Sequence, residues 1–285
     1  MDIAAIAEDA VCAAGLLLLA VWLAKTSLGR KALADAAPRR NNMPAYLPFI
    51  PLLSWFIALS LTMLLMRKIA GAREEWKIAL LDNFVVCIVA AGEIAVIVFL
   101  AGISFAGRLK GFGLNIKTIG RDFLAGAVNL LAVWPLVTLM LVLTILVGQL
   151  IEGTDFQLPQ HEELKLITQY PQISVRTVII VAAVVIVPVF EEMLFRGLFQ
   201  TMIRSFLETL YLNPGTSGRN GAWLSIAITS AIFAAVHQNP EHWPALFVLS
   251  MCLGYAYEKS GSLLRPIFIH SFFNAASIIG ALYSG

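Results

Sequence analysis

The fold class the sequence predicts is all-α: a polytopic integral membrane helical bundle of about eight transmembrane helices. Three observations predict it. The chain has 285 residues, of which 59% are hydrophobic and 13% charged, against about 25% charged in ordinary soluble domains. The deficit of charge runs along the whole length, so the chain does not read as a soluble domain on a single anchor. Apolar runs long enough to span a bilayer recur, and in lipid only segments that pair their own backbone groups can cross, which makes them helices.

Eight segments meet the requirement of roughly 20 mostly apolar residues, some of them barely. They are residues 7–24, 44–66, 78–107, 123–150, 177–204, 222–238, 244–258 and 262–283. The third exceeds the bilayer thickness and would tilt. No internal repeat is apparent. The N-terminus carries acids ahead of its apolar run and no basic leader, which argues against a cleaved signal peptide. Cys12, Cys87 and Cys252 lie far apart in apolar segments with no metal-ribbon spacing, and read as small core residues. The net charge of +2 says nothing about nucleic acid, and no nucleic-acid partner is expected. If the N-terminus lies outside, the inner loops hold 13 basic residues and the outer loops 6. The excess of basic residues inside then places both termini outside, with the basic loop 67–77 dissenting.

The loop 151–176 is the longest polar stretch. It contains His161-Glu162, but position 165 is Lys, so the helical zinc-protease motif fails there. It reads as a solvated, partly helical connector.

The informative residues are charged ones inside apolar helices. In "VPVFEEMLFRGLFQ", residues 187–200, Glu192 and Arg196 are four apart and share a helix face. Glu191 points elsewhere and has no local partner, although an unpaired carboxylate at bilayer depth costs about 3 kcal/mol. Two acids in different surroundings on one helix imply two roles, one structural and one chemical. His237 ends "AIFAAVH", and His270 and Asn274 stand one turn apart in "HSFFN". Each alone has a blander reading as a satisfied core residue or a helix clamp. Glu8, Asp9, Asp82 and Glu93 also fall in or near apolar stretches and receive no role.

In combination, "EEMLFR", "FAAVH" and "HSFFN" resemble the intramembrane protease family that includes the Ras-converting CAAX endopeptidase and the bacterial bacteriocin-processing and self-immunity proteins. The resemblance runs over about residues 111–283, from "GFGL" onward, which divides the chain into N-terminal transmembrane helices (1–110) and a protease core (111–285). It implies hydrolysis of a peptide bond in a membrane-associated, CAAX-type or otherwise lipidated substrate. Peptide hydrolysis requires an activated water, an oxyanion stabiliser and a proton for the leaving amine. By resemblance Glu191 is the general base, His237 holds or polarises the water, and His270 and Asn274 stand on the oxyanion side. Glu192 and Arg196 are structural support. No cofactor is favoured; zinc, if used, would take Glu191, His237 and His270. Straight helices over these spans put Glu191 and His237 on the order of 10 Å apart in depth, with Pro188 and Pro240 as candidate kinks. The localisation implied is a multi-pass membrane protein, at the plasma membrane in a prokaryote. The rival readings are a proton-coupled carrier, since intramembrane Glu, His and Arg also build proton relays, and a non-catalytic membrane scaffold.

Overall fold

A computed structural model of the chain describes residues 3–70, 74–210, 217–237 and 239–284. Among them there is no strand; the one extended pairing is an isolated bridge from Asn41 to Phe105. The helices are α1 (Ile3–Lys25), α2 (Phe49–Ala70), α3 (Glu75–Ser104), α4 (Arg108–Phe112), α5 (Ile119–Glu152), α6 (Glu162–Gln169), α7 (the continuous run Ile173–Leu210), α8 (Ser217–Ala235), α9 (Trp243–Ser260) and α10 (Leu264–Ser284). Every span expected from hydropathy is a helix within a few residues of its expected ends. Among the described residues, five apolar stretches are long enough to cross a membrane: Phe49–Lys68, Glu75–Ser104, Ile116–Glu152, Ile173–Leu210 and Leu264–Tyr283. The connector 151–176 holds α6, as a partly helical loop should.

The chain divides into two compact units. The first comprises Met1–Pro38, Asn115–Pro159 and Ile203–Ile269. In it α5 packs on α1 and on α9, and α9 packs on α8. Pro135 lies inside α5. It has no N–H for the carbonyl four residues earlier, that of Leu131. Gly15 of α1 seats itself there: a Cβ on Gly15 would stand 2.3 Å from Leu131 O, so only glycine allows this approach. The first turns of α5 and α10 are joined by Arg265, which donates through Nη2 (2.9 Å) and Nε (3.2 Å) to Asp122 Oδ1. Asp122 is fully buried. Both residues stand near helix ends.

The second unit comprises Arg39–Leu114, Gln160–Met202 and His270–Gly285. Here α3 packs on α2 and on α7. A cluster of Ile167, Val175, Ile179 and Ile278, with Trp76 and Leu80 against it, joins α6, α7, α10 and α3. Glu93, given no role from the sequence, is buried on α3 and accepts a hydrogen bond from Ser54 Oγ of α2 (3.0 Å). Asp82 pairs with Arg67 (2.8 Å) at an exposed edge.

Two expectations need correction. All three cysteines are half-buried instead of core residues. Pro240 kinks no helix: α8 has already ended, and Pro240 opens a 3-10 turn, Pro240–His242, that leads into α9. His242, in that turn, is buried, with Nε2 2.7 Å from Pro159 O.

Candidate active site

Glu191, Glu192 and Arg196 lie on α7, which is not a uniform α-helix. Its backbone widens into π-turns at Ala182–Ile186 and Met193–Gln200, on either side of the α-helical Val187–Glu192. Such bulges recur at functional sites and re-aim the side chains around them. The first has a cause in the sequence. Pro188 stands at its C-terminal edge and lacks the N–H that an α-helical ladder would use, and Val187 N–H donates to Ala182 O, five residues back.

Between the two wide turns the acids separate. Glu192 is fully buried and pairs with the equally buried Arg196, whose Nη1 donates to Glu192 Oε1 at 2.8 Å. This is the i, i+4 couple read from the sequence. What the sequence did not reveal is that His270 of α10 shares the same oxygen: its Nδ1 lies 2.9 Å from Glu192 Oε1. A carboxylate only accepts, so Nδ1 carries a proton directed at Glu192. The opposite ring nitrogen, Nε2, lies 3.7 Å from Glu191 Oε2. The Glu191 side chain is 21% exposed, against 0% for Glu192. The odd acid of the sequence is thus the freer of the two, next to an imidazole whose far side is anchored by the other.

Asn274 follows one turn after His270 on α10. Its Nδ2 donates to Ala183 O at 2.7 Å, in the first wide turn of α7. His237 belongs to the first unit. It stands just past α8, with Nδ1 2.7 Å from Phe233 O. The carbonyl can only accept, so Nδ1 holds the proton and a neutral ring keeps its Nε2 lone pair free to accept or to coordinate. Trp243 Nε1 donates to His237 O (2.9 Å) and pins the turn that follows. In the sequence, the linker "LETLYLNPGTSGRNGAW" (207–223) and the loop "QNPEHWP" (238–244) read as segments that could gate access; residues 211–216 and Gln238 lie outside the described residues.

In the second unit Glu191 and His270 Nε2 are two neighbours, whereas a catalytic zinc uses three protein ligands. Among the described residues no group of three or more His, Cys, Asp or Glu is gathered to hold a metal. His270 has an acid behind it, Glu192.

Further residues support the site helix from chain segments well before it. Trp55 of α2 stacks on Phe190 (centroids 4.6 Å apart), beside Glu191, and Phe49 meets Phe199 edge-on at 5.2 Å. Phe112 of α4 is fully buried with its ring over Gly197, where a Cβ would come within 2.2 Å of Cζ. The ring has no solvent to move into. Gly197→Ala is therefore expected to cost about 1–3 kcal/mol by overpacking, outweighing the roughly 1 kcal/mol that alanine gains in a helix. A lowered melting temperature of the purified protein in detergent checks this. The sequence signal was a glycine directly after the arginine of a charged helix, legible only once its neighbour is known.

Residues 173–276 match the family described as type II CAAX prenyl endopeptidase, Rce1-like. The matched segment carries all six site residues and is shorter than the 111–283 expected from the motifs; "GFGL" lies outside it. An uncharacterized 24.3 kDa protein of Escherichia coli is 31% identical over 103 residues, which cover 35% of this chain and 41% of that protein. The chain therefore spans well under half the length of that relative. No solved structure matches. The long apolar helices and this matched segment fit an integral membrane protein, and residues 173–276 are similar to the type II CAAX prenyl endopeptidases.

Proposed function

We propose that the protein is an intramembrane endopeptidase that hydrolyses a peptide bond of a membrane-associated substrate, of the lipidated CAAX type, by a water that Glu191 activates. The observation that carries this reading is the ordered set Arg196–Glu192–His270–Glu191. A buried guanidinium holds a buried carboxylate, which holds one face of an imidazole, whose other face meets a second, accessible carboxylate. A proton relay would have no need to clamp one acid and leave its neighbour free. A hydrolase needs that asymmetry: a fixed orienter and a base that can take a proton.

In the mechanism, Glu191 takes a proton from water and the hydroxide attacks the scissile carbonyl. The proton then passes to the leaving amine. His237 polarises the water through its free Nε2. His270 and Asn274 stand on the oxyanion side. For His270 Nε2 to donate there while Nδ1 donates to Glu192, the ring must carry both protons. All eight long helices cross the bilayer, with both termini outside, at the plasma membrane if the source is prokaryotic. Residues 1–110 supply helices around a core formed by residues 111–285. No nucleic acid takes part.

The reading is tested with purified protein in bilayers and a labelled set of membrane-anchored and lipidated peptides. Wild type is expected to cleave, and His237→Ala to lose roughly 10²-fold or more. Activity is expected to survive exhaustive chelation, because no step is routed through a metal. Loss on chelation with recovery on zinc would reverse that part and assign Glu191, His237 and His270 as ligands. Proton flux in the same vesicles without cleavage would favour the carrier.

A further inference from the structure

The π-turn Ala182–Ile186 creates a specific deficit in α7. In this register a carbonyl accepts from the N–H five residues on, as Ala182 O does from Val187. The next carbonyl, Ala183 O, would need the N–H of residue 188. That residue is proline, which has none. A backbone carbonyl without a donor inside an apolar, membrane-spanning segment is costly. Asn274 Nδ2, 2.7 Å from Ala183 O, fills the vacant place.

We infer that Asn274 is a positioning residue: its amide replaces the hydrogen bond that Pro188 withholds from α7, and so ties α10 to the wide turn at the depth where His270 meets Glu191 and Glu192. This rests on the reading of the site as a peptidase and adds a task that reading does not contain. The physical chain is short. Asn274 and His270 are one turn apart on one helix face. Pro188 and Glu191 are three apart on the other helix. Fixing Asn274 to Ala183 therefore fixes the rotation and height of α10 within a turn of the His270–Glu192 bond. The requirement for Asn at 274 and the presence of Pro at 188 become two halves of one device.

The device makes a prediction that an oxyanion donor alone does not. Pro188→Ala restores an N–H that can serve Ala183 in the π register, or lets Val187 serve it in the α register. Either way the carbonyl no longer depends on Asn274. Melting temperatures in detergent are measured for wild type, Asn274→Ala, Pro188→Ala and the double variant. Asn274→Ala is expected to lower the wild-type value by several degrees, and to lower that of Pro188→Ala by less than half as much. Equal shifts in both backgrounds would overturn the inference.

A second readout reports position directly. The His270 Nδ1–H bonded to Glu192 should give a low-field proton resonance in histidine-labelled protein, absent in His270→Gln. Asn274→Ala is expected to shift or abolish it; an unmoved resonance would overturn the positioning role. Should Asn274→Ala fail to yield folded protein, Asn274→Ser, which keeps a shorter donor, is read in the same way. Neither readout uses cleavage. Failure of wild type to cleave any peptide bears on the peptidase reading, and failure of these two bears on the device.

Discussion

Glu191→Gln is expected to reduce cleavage by roughly 10²–10⁴-fold, the usual contribution of a general base, while the protein stays folded. The amide keeps the size and hydrogen-bonding capacity of the acid but cannot take the proton from water. Stability should hardly change. The Glu191 side chain is one-fifth exposed, and its contact with His270 Nε2 is 3.7 Å long, so little is lost on folding when its charge goes. Substitutions at sites this accessible usually fall within about 0.5 kcal/mol. Initial rates on a cleaved peptide, compared at equal amounts of folded protein, check the first half, and melting curves check the second. Wild-type rates in this variant would remove Glu191 from the mechanism.

Arg196→Met should do the reverse: it attacks the fold first. The arginine and Glu192 are both fully buried, and their bond is 2.8 Å. Removing the guanidinium leaves the buried Glu192 carboxylate to His270 alone, at a cost of about 3–5 kcal/mol. That is a large share of a typical total of about 5–15 kcal/mol. The paired replacement Glu192→Leu with Arg196→Met removes both charges and should recover most of this stability, since apolar pairs of similar volume often replace buried ion pairs without loss. It should not recover activity, because His270 Nδ1 then has no carboxylate to hold it. A double variant that is folded and inactive would separate the clamp's structural task from its orienting one. Full activity there would show that His270 needs no orienter.

The helices were legible because lipid leaves the chain few choices. A run of about 20 apolar residues that must satisfy its own backbone is a helix, and every long helix falls where hydropathy puts it. Glu192 with Arg196 was legible for a similar reason: spacing within one helix is fixed by its geometry. So was the isolation of Glu191. Contacts between helices were not legible. Nothing in the spacing of residues 191–274 reveals that His270 turns its Nδ1 to Glu192 rather than Glu191, or that Phe112 lies over Gly197. The pair Asp122–Arg265 was missed because it joins two helices 143 residues apart in the chain. Pro188 was legible as a candidate kink, but its consequence depends on which neighbour supplies the missing donor. That donor, Asn274, comes from 86 residues further along the chain.

The central claim is that this chain hydrolyses peptide bonds within the membrane. Mass spectrometry of a membrane-anchored, lipidated peptide incubated with purified wild-type protein in bilayers tests it most directly. Two new fragments are expected, with masses that together equal the substrate plus one water and with solvent oxygen in the new carboxyl group when the reaction runs in labelled water. Intact peptide across the whole substrate set, from protein that remains folded, would contradict it.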